Sequence, residues 1–97
     1  MNSEAVEGRR SQRRRILKDG RILLPGAWVT YDCVIRDVSE TGARLRLASE
    51  TMLVPEKFEL VFVADQLAYP VKLRWRRNTE CGVEYAGPPR KMSARFR

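Results

Sequence analysis

The chain has 97 residues, of which 43% are hydrophobic and 32% are charged, so it is long enough for one compact domain and too short for a second core. Its 19 Lys and Arg residues outnumber its 12 Asp and Glu residues, and the resulting formal net charge of +7 predicts an anionic partner. The sequence has no histidine and only two cysteines, Cys33 and Cys81. This excludes histidine-dependent catalytic triads and a four-cysteine zinc site, and we expect no metal.

Apolar segments are short throughout the sequence. The longest, Leu60 to Ala64, is far below the roughly 18 to 20 residues that a membrane-spanning helix needs. The amino terminus lacks the hydrophobic core of a signal peptide, so we expect a cytoplasmic protein. Cysteines are usually reduced in that compartment, and we therefore predict that Cys33 and Cys81 are buried thiols, with a disulfide between them left open by the sequence.

The amino-terminal residues differ in composition from the rest of the chain. Residues 1–8 are mostly small or acidic, and we predict that they are disordered. Residues 9–19 begin with a run that holds five arginines between Arg9 and Arg15 and shows no apolar periodicity. Because like charges repel, we predict a flexible basic arm that becomes ordered only on an anion or on the surface of the domain.

After the arm, apolar and polar side chains alternate in short segments separated by turn residues. In the clearest segment, Trp28–Arg36, the odd-numbered residues from Val29 to Ile35 share the face that we assign to the core. The predicted strands are Gly20–Leu24, Trp28–Arg36, Ala43–Leu47, Phe58–Val63, Leu67–Trp75 and Cys81–Tyr85. Five or six short strands predict an all-β fold, a small antiparallel β-barrel over residues 20–88.

The last residues, 89–97, form a short basic tail. Gly87, Pro88 and Pro89 are expected to end the last strand. Met92 and Phe96 are four residues apart, a spacing that fits either one turn of helix or a disordered end.

Two motifs stand out against this barrel. The arginine run contains the pattern RxxxR twice, as Arg9 with Arg13 and as Arg10 with Arg14, and Arg15 adds a fifth candidate. Residues 37–42, at the predicted turn between two strands, fit the pattern DxSxxG. Taken singly, such an arm is typical of nonspecific phosphate binding, and such a turn can serve only to cap backbone donors.

In this order the two motifs resemble those of the PilZ domain, the bacterial receptor module for cyclic di-GMP. The resemblance covers about Arg9 to Tyr85, including the runs 39–45 and 82–85 and a late Trp75. It implies a six-stranded barrel whose arginine arm folds across the barrel mouth when the dinucleotide binds. It also implies a receptor without catalytic activity or cofactor, which signals to a downstream protein partner.

The resemblance implies roles for the residues of both motifs. The guanidinium fork of arginine suits the phosphates and the O6 and N7 acceptors of guanine, while Asp37 and Ser39 are expected to meet guanine donors and Gly42 to keep the connection tight and let the ligand approach. Arg10 with Arg14 fits the family spacing slightly better, but the pair Arg9 with Arg13 stays open. The candidate ligand-binding residues are Arg9, Arg10, Arg13, Arg14, Asp37, Ser39 and Gly42.

Trp75 offers a ring that can stack on a guanine. It alternates in step with Val71 and Leu73, however, and this pattern predicts that it belongs to the core. We therefore leave it out of the candidate site.

Two other functions compete with the receptor function. The first is a basic barrel that binds single-stranded nucleic acid, and the second is a PilZ-like interaction module that does not bind the nucleotide. The basic residues around Arg76 and in the tail are either solvated or an interaction face for an acidic partner or nucleic acid. An enzyme is not expected, because Ser39 has no histidine to activate it and the chain has no Walker-type phosphate loop.

Overall fold

A computed structural model describes residues 14–26 and 29–92 of the chain, and every regular element in those ranges is a β-strand. The predicted all-β class is confirmed. The strands are β1 (Arg14–Leu23), β2 (Thr30–Val38), β3 (Gly42–Leu47), β4 (Lys57–Phe62), β5 (Leu67–Arg77), β6 (Glu80–Tyr85) and β7 (Arg90–Lys91). Within the described ranges, no helix is long and apolar enough to cross a membrane.

The sheet closes on itself. Its strands follow the order β4-β1-β2-β3-β6-β5, and β5 also pairs with β4, while β7 adds a short extra strand to β5. All these pairs are antiparallel. The predicted six-stranded antiparallel barrel is therefore confirmed, and closure leaves few free strand edges.

Apolar side chains from all six barrel strands fill the interior. The core side chains that are fully buried are Ile22, Ile35, Leu45, Leu60, Val71 and Cys81. Cys33 is buried as well, which confirms the prediction for both cysteines. Burial raises the pKa of the Cys33 thiol to about 12 and that of Cys81 to about 11, so both thiols stay protonated at neutral pH.

The first strand begins earlier than the sequence predicts. We placed its start at Gly20, but β1 begins at Arg14 and pairs with β2 along its length. The predicted arm, residues 9–19, therefore contributes its second half to the barrel wall. A register shift between Arg15 and Lys18 interrupts the alternation of apolar and polar side chains. The sequence pattern therefore does not indicate a strand in this segment.

Two other sequence expectations differ from the structure. Val29, which we assigned to the core face, precedes β2 and is exposed. In the tail, β7 pairs with Leu67 and Ala68 of β5, and Arg90 holds Glu59 with two hydrogen bonds of 2.9 and 2.7 Å. Arg90 and Lys91 in the tail thus form a strand, and the two alternatives toward Phe96, a helical turn or a disordered end, lie mostly outside the described residues.

Candidate functional site

One line of paired residues crosses five strands of the barrel near the β2–β3 turn. Arg15 pairs with Asp37, Asp37 with Arg44, Arg44 with Gly82, and Gly82 with Trp75. Directly opposed residues of antiparallel strands place their side chains on the same face of the sheet. We call this line the outer row.

The outer row lies on the outside of the barrel. The next pair along β3 and β6 joins Leu45 to Cys81, and both of these side chains are fully buried in the interior. Since neighbouring residues of a strand face opposite ways, Arg44 and Gly82 face outward.

Register shifts bring two of the five residues onto this outer face. One shift lies between Ile35 and Asp37 in β2, and the other between Leu73 and Trp75 in β5. An extra residue in one strand reverses the alternation beyond it. Trp75 is consequently 46% exposed, and the prediction that it belongs to the core with Val71 and Leu73 is wrong.

The indole of Trp75 rests against the backbone of β6. A Cβ atom built on Gly82 would overlap Nε1 and Cε2 of Trp75, so the ring occupies the space that a side chain would need. Because Gly82 has no side chain, the tryptophan ring can pack directly against the backbone there. This contact holds one face of the ring against the barrel.

Asp37 is a buried carboxylate with a defined counter-charge. Its side chain is 6% exposed, and its Oδ2 accepts a hydrogen bond from Nε of Arg44 at 2.6 Å. The Nη1 of Arg44 lies 3.4 Å from Oε1 of Glu80 on β6. A buried charge without a partner is strongly destabilising, so Arg44 is what permits a carboxylate at this position.

Ser39 shapes the turn between β2 and β3. Its Oγ accepts hydrogen bonds from the backbone N–H groups of Thr41 at 3.2 Å and Gly42 at 3.3 Å, and its own N–H donates to the Gly42 carbonyl at 2.9 Å. These bonds satisfy backbone groups that the turn would otherwise leave unpaired. Ser39 thereby fixes the position of the turn beside Asp37.

Gly42 allows β3 to approach β6. A Cβ atom at this position would overlap the carbonyl oxygen of Val83, a backbone atom that cannot move away easily. Its φ angle lies outside the left-handed region, so conformational freedom is not the reason for this glycine. The close contact between strands is the reason that the structure provides.

A small open cleft of about 120 Å³ is lined by the β2–β3 turn and by four residues of the outer row, Asp37, Arg44, Gly82 and Trp75. Its walls carry a carboxylate, two guanidinium groups, hydroxyl groups and an indole. The polar and aromatic lining residues are Asp37, Ser39, Thr41, Arg44, Arg74 and Trp75. Such a set can bind a ligand that combines hydrogen-bond donors, anionic groups and a flat ring.

The comparison with family models identifies the domain. The model described as the PilZ domain matches residues 7–96, which is nearly the whole chain and includes both motifs. The chain belongs to the PilZ domain family. PilZ domains are non-catalytic receptors for cyclic di-GMP. No curated protein matches the chain.

The structure brings together part of the PilZ site that the sequence predicts. Asp37, Ser39 and Gly42 line the same cleft. Arg14 pairs with Val38, so the arm joins the barrel one residue pair away from Asp37. The remaining candidates, Arg9, Arg10 and Arg13, lie outside the described residues.

From the sequence, Arg44 is not considered as a ligand-binding residue, Trp75 is set aside as a core residue and Arg15 is named only as a further arginine of the run. Arg15 stands directly opposite Asp37, Arg44 binds it, and Trp75 forms the far wall. For Arg44 a signal was present, because it lies within the run that resembles the PilZ family. For Trp75 the signal was Gly82, the glycine that stands opposite it in the sheet. The sequence alone does not show that the two residues are paired, because that follows from the strand register.

The role of Gly42 in the contact between strands generates a prediction. Gly42→Ala is expected to lower the free energy of unfolding by about 1–3 kcal/mol, because its Cβ would press on the Val83 backbone. Urea denaturation measures the change. Gly87→Ala is the control, because a Cβ there meets only Pro70 at an ordinary distance of 3.4 Å. Equal stability of the two variants would contradict the assigned role.

Proposed function

We propose that this PilZ domain is a cytoplasmic cyclic di-GMP receptor whose arginine arm closes over the cleft when the ligand binds. The change in arm position then alters the surface that a partner protein meets. One observation carries the proposal: Asp37 and Trp75 line the same cleft, and Arg15 near the beginning of β1 is the strand partner of Asp37. Each of these three elements suits a different part of the ligand.

The ligand offers two phosphates and two guanine bases. A guanine presents its N1–H and N2–H₂ donors along one edge, and a carboxylate such as Asp37 is an acceptor for them. The half-exposed indole of Trp75 can stack on the face of a base. Arginines of the arm suit the phosphates and the O6 and N7 acceptors through charge-assisted bonds.

The attachment of the arm supports the pair Arg10 with Arg14. Arg14 is anchored by its pairing with Val38, next to Asp37. Four residues of chain span at most about 14 Å, so Arg10 stays within reach of the cleft from that anchor. Val38, the strand partner of Arg14, itself lines the cleft, and Arg15 on the outer row supplies a further guanidinium beside Asp37.

Calorimetric titration with cyclic di-GMP at two salt concentrations tests the proposal, with GTP and the linear guanine dinucleotide as controls. We expect saturable binding that neither control reproduces. Equal, weak binding of all three ligands that fades with added salt would contradict the receptor function. That outcome would favour nonspecific binding of nucleic acid by a chain of net charge +7.

The arm is expected to contribute most of the affinity. Charge-assisted hydrogen bonds are worth about 1.5–3 kcal/mol each, so Arg10→Ala with Arg14→Ala should cost about 3–6 kcal/mol and make a micromolar site hard to detect. The control is Lys57→Ala with Lys72→Ala, which removes the same charge from exposed side chains that do not line the cleft. Equal losses in both double variants would show that only net charge matters.

Trp75 is expected to act as a stacking surface. Trp75→Ala should weaken cyclic di-GMP binding by about 1–3 kcal/mol, or about 5- to 150-fold, whereas Trp75→Phe should retain most of the affinity. Titration calorimetry measures the affinities, and circular dichroism checks that both variants keep the barrel. Unchanged affinity in Trp75→Ala would exclude the stacking role.

A further inference from the structure

The geometry points to Arg44 as a positioning residue that aims Asp37 at the ligand, with Glu80 holding Arg44 in place. This inference rests on the proposed function, because it concerns the same cleft. It adds two residues, Arg44 and Glu80, that neither sequence motif contains.

The three side chains follow one another across three neighbouring strands. Asp37 on β2 is paired in register with Arg44 on β3, and Glu80 lies two residues before Gly82, the β6 partner of Arg44. Arg44 donates from Nε to Oδ2 of Asp37 at 2.6 Å and from Nη1 to Oε1 of Glu80 at 3.4 Å. One guanidinium thus bridges two carboxylates.

The way in which Arg44 binds Asp37 leaves room for a ligand. An arginine that faces a carboxylate squarely uses two nitrogens and occupies both oxygens. Here Nε alone contacts Oδ2, and Arg44 directs Nη1 to Glu80 instead. Within the described residues Oδ1 of Asp37 receives no hydrogen bond, so this oxygen remains available to the donors of a guanine.

Glu80 determines where the guanidinium points. Without Glu80, Arg44 could rotate to bind both oxygens of Asp37, which would occupy the free acceptor. It could also turn toward the anionic ligand, which would leave the buried carboxylate without its counter-charge. Glu80 is only partly exposed, at 33% of its side chain, so its attraction for Arg44 is less screened than that of a fully solvated pair.

This arrangement makes a prediction that runs against simple electrostatics. Removing a negative charge near an anionic ligand should strengthen binding if charge alone matters. If Glu80 positions Arg44, Glu80→Gln should instead weaken cyclic di-GMP binding, by about threefold or more. Glu50→Gln is the control, because it removes the same charge from an exposed side chain that does not line the cleft.

A double-mutant cycle distinguishes positioning from direct contact with the ligand. Arg44→Gln should weaken binding by about tenfold or more in the natural sequence, but by less than about threefold in the Asp37→Asn variant, because its effect passes through Asp37. Lys72→Gln, at an exposed position that does not line the cleft, is the control for loss of a positive charge. Thermal unfolding of every variant shows whether affinity merely follows stability, and Arg44→Lys provides a second variant that keeps the charge but not the fork.

The outcomes separate the two proposals. Equal losses from Arg44→Gln in both backgrounds would overturn the positioning role and make Arg44 a direct ligand contact. Unchanged or tighter binding by Glu80→Gln would overturn the role of Glu80 in aiming it. Absence of cyclic di-GMP binding by the unaltered protein would overturn the proposed function, and this inference with it.

Discussion

In a closed barrel, one face of each strand must be apolar because it forms the core. Near the β2–β3 turn, one extra residue in a strand reverses the alternation, so the side chains that follow it lie on the outside. In β2 the register shift follows Ile35, and in β5 it follows Leu73. Before each shift the odd-numbered residues of the strand face the interior. After it the next odd-numbered residues, Asp37 and Trp75, face the outside. Core and candidate site are therefore consecutive parts of the same strands.

The charge distribution in the cleft explains how a strongly basic chain can be selective. A surface of arginines alone would attract any phosphate. The carboxylate of Asp37 repels a simple anion, and it favours a ligand that carries hydrogen-bond donors. Because Arg44 and Glu80 already surround Asp37 with one positive and one negative group, the cluster keeps a net negative charge within a protein of net charge +7. In the receptor proposed here, guanine recognition and phosphate attraction therefore fall to different residues.

The sequence predicts the positions of the strands well and the register between them poorly, for a physical reason. Alternation records burial, so it locates the centres of β2, β3 and β6, and the motif at residues 37–42 correctly marks a turn that lines the cleft. A register shift adds a single residue and leaves no compositional signal. The two shifts that matter most lie beside arginines, Arg36 and Arg74, in strands that already carry many charges. The orientation of Trp75 and the pairing of Asp37 with Arg44 therefore required the structure.

Packing beneath the outer row limits how a binding event could be communicated. Ile35, Leu45 and Cys81 lie next to it in sequence and are fully buried in the interior. A close-packed interior of this kind resists small displacements, because any shift of one side chain must displace its neighbours. For the receptor proposed here, the barrel serves as a rigid platform and the signal must pass along its outer surface. A partner protein would then recognise the closed arm and the ligand together with the exposed strands around the cleft, rather than a rearranged core.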